Sequence, residues 1–155
     1  MAQFVSRTGG TSFEDGDDHG RIIVSGNDTD GAYSLLEWTI GAGTKLDPDD
    51  TRDYGMHLHG ECEETFLIKS GSLEFVIGGE IIQMTAGDFV RVPPNTKHGY
   101  QNVSGQPVEM LVGFYPAGFE SLFVKYRTDQ DAAPTPGFVE EATADYASQF
   151  GLPNP

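Results

Sequence analysis

The four histidines of this chain are unevenly placed, and that unevenness constrains the fold more than any other feature. Three of them, His57, His59 and His98, fall in the run GMHLHGECEETFLIKSGSLEFVIGGEIIQMTAGDFVRVPPNTKHGYQN between Gly55 and Asn102; only His19 lies outside it. Residues two apart in an extended strand point to one face, so His57 and His59 are expected to present two imidazoles side by side, with Met56 and Leu58 turned away. Glu64 opens the next apolar run and shares its face with Phe66 and Ile68. His98 follows a Gly87…Pro93 turn. Three imidazoles and a carboxylate form a mixed nitrogen and oxygen ligand set for one divalent transition ion: iron, nickel, manganese, cobalt, copper or zinc. A lone His-x-His is a weak signal, and taken singly each histidine reads as an ordinary surface or core residue. The pair together with a spaced glutamate and a later histidine requires several coincidences at once. A fold that uses all four must bring residue 98 back beside residues 57–64.

The rest of the chain supplies strands to do this. Residues 1–20 are polar and rich in glycine and aspartate; Phe4 and Val5 are read as a short edge strand, and Gly16–Gly20 as a turn or flexible segment. His19, set among acids, is read as solvated. Arg21–Ser25 is a short strand, GNDTDG a loop of turn formers, and Ala32–Ile40 a strand with Leu36, Trp38 and Ile40 on one face. Residues 44–54 are an acidic rim loop. Phe66–Lys69, Leu73–Ile77, Ile81–Met84 and Phe89–Val92 are short apolar runs, with a tight hairpin at Gly78–Gly79. His98–Val103 and Val108–Tyr115 complete about eight or nine closely spaced strands, the pattern of an all-β sandwich or barrel. Residues 118–126 carry Phe119, Leu122, Phe123 and Tyr126 at helical spacing, and residues 138–150 read as an amphipathic helix through Phe138, Ala142, Tyr146 and Phe150.

The histidine-rich run resembles the two signature motifs of the cupin superfamily, and in particular the small, single-domain, quercetin dioxygenase-like members. His57, His59, Glu64 and Gly71 fit the first motif, whose leading glycine is Thr51 here. Gly87, Pro93, His98 and Asn102 fit the second, whose middle glycine is replaced by Asn95, a residue that tolerates a left-handed backbone. The resemblance implies a double-stranded β-helix jelly-roll barrel with a short C-terminal helix. One domain would span 1–155, with a barrel core from about 20 to 116 and an extension carrying the helix. It further implies that His57, His59, Glu64 and His98 ligate one metal.

Composition excludes some partners. With 155 residues, a net charge of −15 and a pI near 4.3, the surface repels phosphate backbones and anionic lipid, so neither nucleic acid nor membrane is expected. The N-terminus is not signal-like and no apolar run is long enough to span a bilayer, which reads as a cytoplasmic protein. Cys62 is the only cysteine, so no internal disulfide forms; it is read as a small loop residue rather than a thiolate ligand.

Around the ligand set, Trp38, Met56, Phe66, Phe75, Tyr100, Met110, Val112 and Phe114 are candidates to line an apolar cavity for a small-molecule substrate, although simple core packing is the default for any one of them. Tyr100 stands apart because its hydroxyl follows His98 by two residues on the same face. Open positions on the metal are what a catalytic site needs. The expected activity is a quercetinase-like dioxygenase acting on an apolar, aromatic or enolisable molecule, with Glu64 as a general base. The run FYPAGFESLF resembles a PxGFE segment of that group. The alternatives are a non-oxidative isomerase, cyclase, dehydratase or lyase using the metal as a Lewis acid, and a non-catalytic ligand-binding module. Phe66 stands where related sulfonium lyases carry tyrosine, which argues against that subgroup. By the same resemblance the protein is expected to form a homodimer.

Overall fold

A computed structural model describes residues 3–44 and 56–128. It contains nine strands and one α-helix: β1 Thr11–Asp15, β2 Asp18–Val24, β3 Ser34–Ile40, β4 Glu63–Ser70, β5 Ser72–Ile77, β6 Glu80–Thr85, β7 Phe89–Val92, β8 His98–Gln101, β9 Val108–Tyr115 and α1 Ser121–Thr128. One sheet has the order β1-β2-β3-β9-β4-β7 and the other β6-β5-β8. Every pairing in both is antiparallel. The β3–β9 and β9–β4 neighbours are far apart in sequence, so the sheet closes through long-range pairing, and the two sheets face one another as a double-stranded β-helix.

Alternation explains which residues meet. In β3 the pattern is strict: Ser34, Leu36, Trp38 and Ile40 are buried while Leu35, Glu37 and Thr39 are not. Val108, Met110, Val112 and Phe114 of β9 and Glu64, Phe66 and Ile68 of β4 are buried on the same side. Register ties these faces into rows, because Ser34 pairs with Phe114 and Phe114 with Glu64, while Leu36 pairs with Val112 and Val112 with Phe66. Phe66 then meets Phe75 of the opposite sheet, edge to face, with ring centroids 4.7 Å apart. Glu64 is therefore the one charged member of an otherwise apolar β4 face. Gly71, the last glycine of the first motif, turns β4 into β5 with φ +84; a Cβ on it would lie 3.0 Å from the Pro107 carbonyl oxygen.

Several expectations need correction. The N-terminal region is not a flexible lead-in. Thr11–Asp15 and Asp18–Val24 pair as a hairpin, so the strands begin at residue 11 rather than about 20, and His19 lies exposed in β2. The strand signal was weak because this hairpin is polar on its outer face. Tertiary packing holds it: Phe13 is buried, and Gly20 leaves room for the Phe13 ring and the Glu37 carbonyl, either of which a Cβ would strike. Asp18, also read as part of a turn, is buried and accepts hydrogen bonds from Gly41 N–H (2.7 Å) and Thr44 Oγ1 (2.6 Å). Phe4 and Val5 form no strand, and Phe4 is 90% exposed. The segment 118–126, read as a short helix or a turn, is helical from Ser121 and packs on β1, with Phe123 stacked on Phe13 at 4.7 Å. The rim loop beyond Thr44 and the helix expected at 138–150 lie outside the described residues. No described helix is long and apolar enough to cross a membrane.

Candidate functional site

Four side chains from three places converge at one end of the barrel. Glu64 is the second residue of β4, His98 the first residue of β8, and His57 and His59 come from the irregular segment before β4. His57 and His59 are thus not on a regular strand, as their spacing suggested. Only His57 is extended enough to bridge, exchanging backbone hydrogen bonds with His98 (2.9 and 2.8 Å). The convergence survives because that single bridge sets His57 directly opposite His98. The ligand atoms of His57, His59, Glu64 and His98 all lie within 4.8 Å of one another, a spacing that could hold a metal ion.

The electrostatics fit that use. His59 Nε2 and His98 Nε2 both reach Glu64 Oε2, at 3.0 and 2.9 Å. Burial would raise the Glu64 carboxyl, but the hydrogen bonds and charges of His59 and His98 outweigh it and bring the group down to about 2, so Glu64 is ionised at neutral pH. His98 moves the other way. Burial alone would lower it; the contact with Glu64 and the Thr96 carbonyl raise it. His98 Nδ1 donates to the Thr96 carbonyl at 2.8 Å, which fixes the ring and leaves Nε2 as the atom offered to the cluster. An ionised carboxylate is the state a cation requires of its ligand, and a cation bound at His98 would displace the Nε2 proton that faces Glu64. Cys62, two residues before Glu64, is held as a thiol: burial first, then the Glu64 charge, push it up to about 12, and its Sγ donates to the Glu63 and Pro116 carbonyls. It does not act as a thiolate here.

Aromatic rings wall the cluster. Phe66 and Phe75 stand 6.2 and 6.4 Å from His98, the latter parallel to it, and Phe114 stands 6.1 Å from His59. Tyr100 touches Phe66, Phe75 and Trp38 and so belongs to a second tier. Trp38 is further removed still, packed against Phe13 and Phe123. Its Nε1 and Ser34 Oγ are buried side-chain atoms without a hydrogen-bond partner among the described residues, and both project from the inner face of β3. Met110 is fully buried one strand over, in register with Trp38, and Val112 in register with Leu36; Met56 is half-buried.

The sequence reading singled out the FYPAGFESLF run but did not place Phe119 or Glu120 at the site. Phe119 lies edge-on to His59 with centroids 4.0 Å apart and parallel to His57 at 6.3 Å, closer to the histidines than most of the candidates named from sequence. Glu120 is buried and holds this segment in place, accepting from Gly26 N–H (2.8 Å) and Gly118 N–H (2.7 Å). The signal was available in the FYPAGFESLF run, where a glutamate sits between apolar residues.

Comparison with known proteins bears on the fold. A family described as Cupin domain matches residues 44–114. Quercetin 2,3-dioxygenase of Bacillus subtilis is 29% identical over 108 residues, which is 70% of this chain but 29% of that enzyme, so the chain spans under a third of the relative's length. Among solved structures, a predicted oxalate decarboxylase from Thermotoga maritima superposes with a TM-score of 0.63 at 16% identity, covering 74% of this chain and 99% of the other. The polyketide cyclase RemF from Streptomyces resistomycificus gives a TM-score of 0.60 at 20% identity, covering 74% and 80%. At those identities the structures speak for the fold alone.

Proposed function

We propose, from the premise that this chain belongs to the cupin superfamily, that it is a metal-dependent enzyme and, more finely, a quercetinase-like dioxygenase acting on a small apolar, aromatic or enolisable molecule. The observation that carries the reading is the convergence of His57, His59, Glu64 and His98 within 4.8 Å beneath a wall of aromatic rings. When bound, a transition ion such as iron, nickel, manganese, cobalt, copper or zinc supplies Lewis acidity and, for the redox-active members, electron exchange with dioxygen. Its ligands would be the three imidazoles and the Glu64 carboxylate.

The chain's own residues do the rest. Glu64, ionised and facing the cluster, accepts a proton from a substrate hydroxyl at Oε2 or Oε1, which generates the enolate form. Phe66, Phe75, Phe114 and Phe119 exclude water and give a planar substrate flat and edge contacts. Tyr100 and the unpartnered Trp38 Nε1 offer polar anchors farther from the ligands, and Met56 and Met110 adaptable apolar surface. The protein's acidic exterior disfavours phosphorylated substrates. It is proposed to work in the cytoplasm, where a lone reduced cysteine is at home, and as a homodimer; light scattering showing a monomer at micromolar concentration would rule out the dimer.

Oxygen consumption tests the dioxygenase. Iron- or nickel-loaded protein should consume O₂ with quercetin or a related flavonol, and stop under argon. Full turnover under argon, or with zinc, supports instead the second reading: an isomerase, cyclase, dehydratase or lyase that uses the metal only as a Lewis acid. What supports that reading is the ligand set itself, three imidazoles and one carboxylate, which suits redox-inactive zinc as well as iron or nickel. A non-catalytic binding module would take up ligand with no turnover under either gas.

A further inference from the structure

We propose that Asn95 is a positioning residue for the metal ligands, clamping the segment that carries His57 and His59 to the turn that leads into His98. The inference rests on the metal reading above and concerns the one place in the second motif where this chain departs from glycine. Pro94 and Asn95 are the central pair of a turn closed by Thr96 N–H donating to the Pro93 carbonyl (3.3 Å). The third position of a type II turn takes positive φ, and Asn95 stands there with φ +60. Glycine would meet that demand at no steric cost, whereas asparagine meets it at some cost.

What asparagine adds is a donor. Asn95 Nδ2 donates to the Gly60 carbonyl at 2.9 Å, and Asn95 N–H donates to the His59 carbonyl at 2.7 Å. One residue therefore holds two consecutive carbonyls of the ligand-bearing segment. This matters because that segment is irregular. Apart from Cys62 Sγ, which reaches the Pro116 carbonyl, the segment's other ties seen among the described residues are the two His57–His98 backbone bonds. The bridge fixes His57 against His98 but says nothing of His59, whose ring belongs two residues further on. The Asn95 pair fixes the chain at His59 and Gly60, so the three histidines keep one spacing before any cation arrives. A site ordered in advance loses less conformational entropy on binding.

The test compares wild type, Asn95→Gly and His57→Ala, each stripped of metal and titrated with Co²⁺ against a competing chelator, with visible absorption of the bound ion recorded and the metal-free proteins melted in parallel. Wild type should bind one Co²⁺ and His57→Ala should lose it. Asn95→Gly keeps the turn and should still bind one Co²⁺, about three- to tenfold more weakly and with an altered visible spectrum, because one hydrogen bond is gone and the apo segment is looser. Its metal-free melting temperature should stay near wild type, since glycine relieves the left-handed backbone. Wild-type affinity and spectrum in Asn95→Gly overturn the proposal, as does weaker binding matched by an equal loss of metal-free stability. Failure of wild type to bind Co²⁺ instead overturns the metal reading itself.

Discussion

Replacing Glu120 should reveal how strongly the segment behind the histidines is held. Both of its carboxylate oxygens are committed, one to Gly26 N–H and one to Gly118 N–H, and all three residues are buried. Glu120→Ala leaves two buried donors without an acceptor, each costing about 1–3 kcal/mol. Removing a buried carboxylate returns part of its desolvation cost, so the net loss should be about 3 kcal/mol. With a urea m-value of about 1–3 kcal/mol/M for a chain of this size, the unfolding midpoint should fall by roughly 1–3 M. Glu120→Gln keeps one acceptor and should lose about half as much. The loss should also reach the site, because Phe119, next in sequence, is the ring nearest His59. Urea titrations of metal-free protein, followed by the fluorescence of Trp38, the only tryptophan, measure the first effect. Chelator competition for Co²⁺ measures the second. A midpoint within roughly 0.3 M of wild type for Glu120→Ala would refute the reasoning, because two unsatisfied buried amides cannot be that cheap.

Further expectations follow from the same geometry. His57→Ala should lose most bound metal while His19→Ala, altered at an exposed strand position, should not; equal retention in both, read by elemental analysis, would undo the ligand assignment. Glu64→Gln should cut turnover more than substrate binding, since the ionised proton acceptor is lost while the aromatic walls remain; a change confined to KM would contradict it. Glu37 is bonded by Lys69 (2.7 Å) and Arg21 (2.7 Å), which together lower its carboxyl below 4.5. Its contribution, no more than about 1 kcal/mol for half-exposed partners, is present above pH 4.5 and lost as pH falls through the lowered folded value. The stability gap between wild type and Glu37→Gln should therefore close in acid, and a gap that widens there would reverse the sign. Cys62, held as a thiol, should alkylate roughly a thousandfold more slowly at pH 8 than an exposed cysteine in metal-free protein; rapid labelling would show the thiolate to be accessible.

The sequence by itself marked the four residues that the fold brings together and the alternation of the strands. His-x-His, a spaced glutamate and a later histidine are discrete chemical features, and the alternation of Leu36, Trp38 and Ile40 or of Glu64, Phe66 and Ile68 is a local consequence of the pleat, so both are legible along the chain. Asn95 was legible too as a residue able to take a left-handed turn, which it does. Tertiary structure decided the rest. The β1–β2 hairpin carries few apolar residues and owes its place to Phe13 packing beside Gly20 and to Asp18 reaching Gly41 and Thr44, contacts between residues far apart in sequence. Which aromatic residues reach the histidines depended on register between distant strands: the rows put Phe66 and Phe114 beside the cluster and leave Trp38 two residues beyond Leu36, behind Tyr100. Phe119 and Glu120 arrive from beyond the last strand and are fixed by bonds to Gly26, residues with no periodic relation to the motif. Local pattern encodes what a side chain can do, whereas burial and partnership are sums over the whole folded chain, which no window of sequence contains.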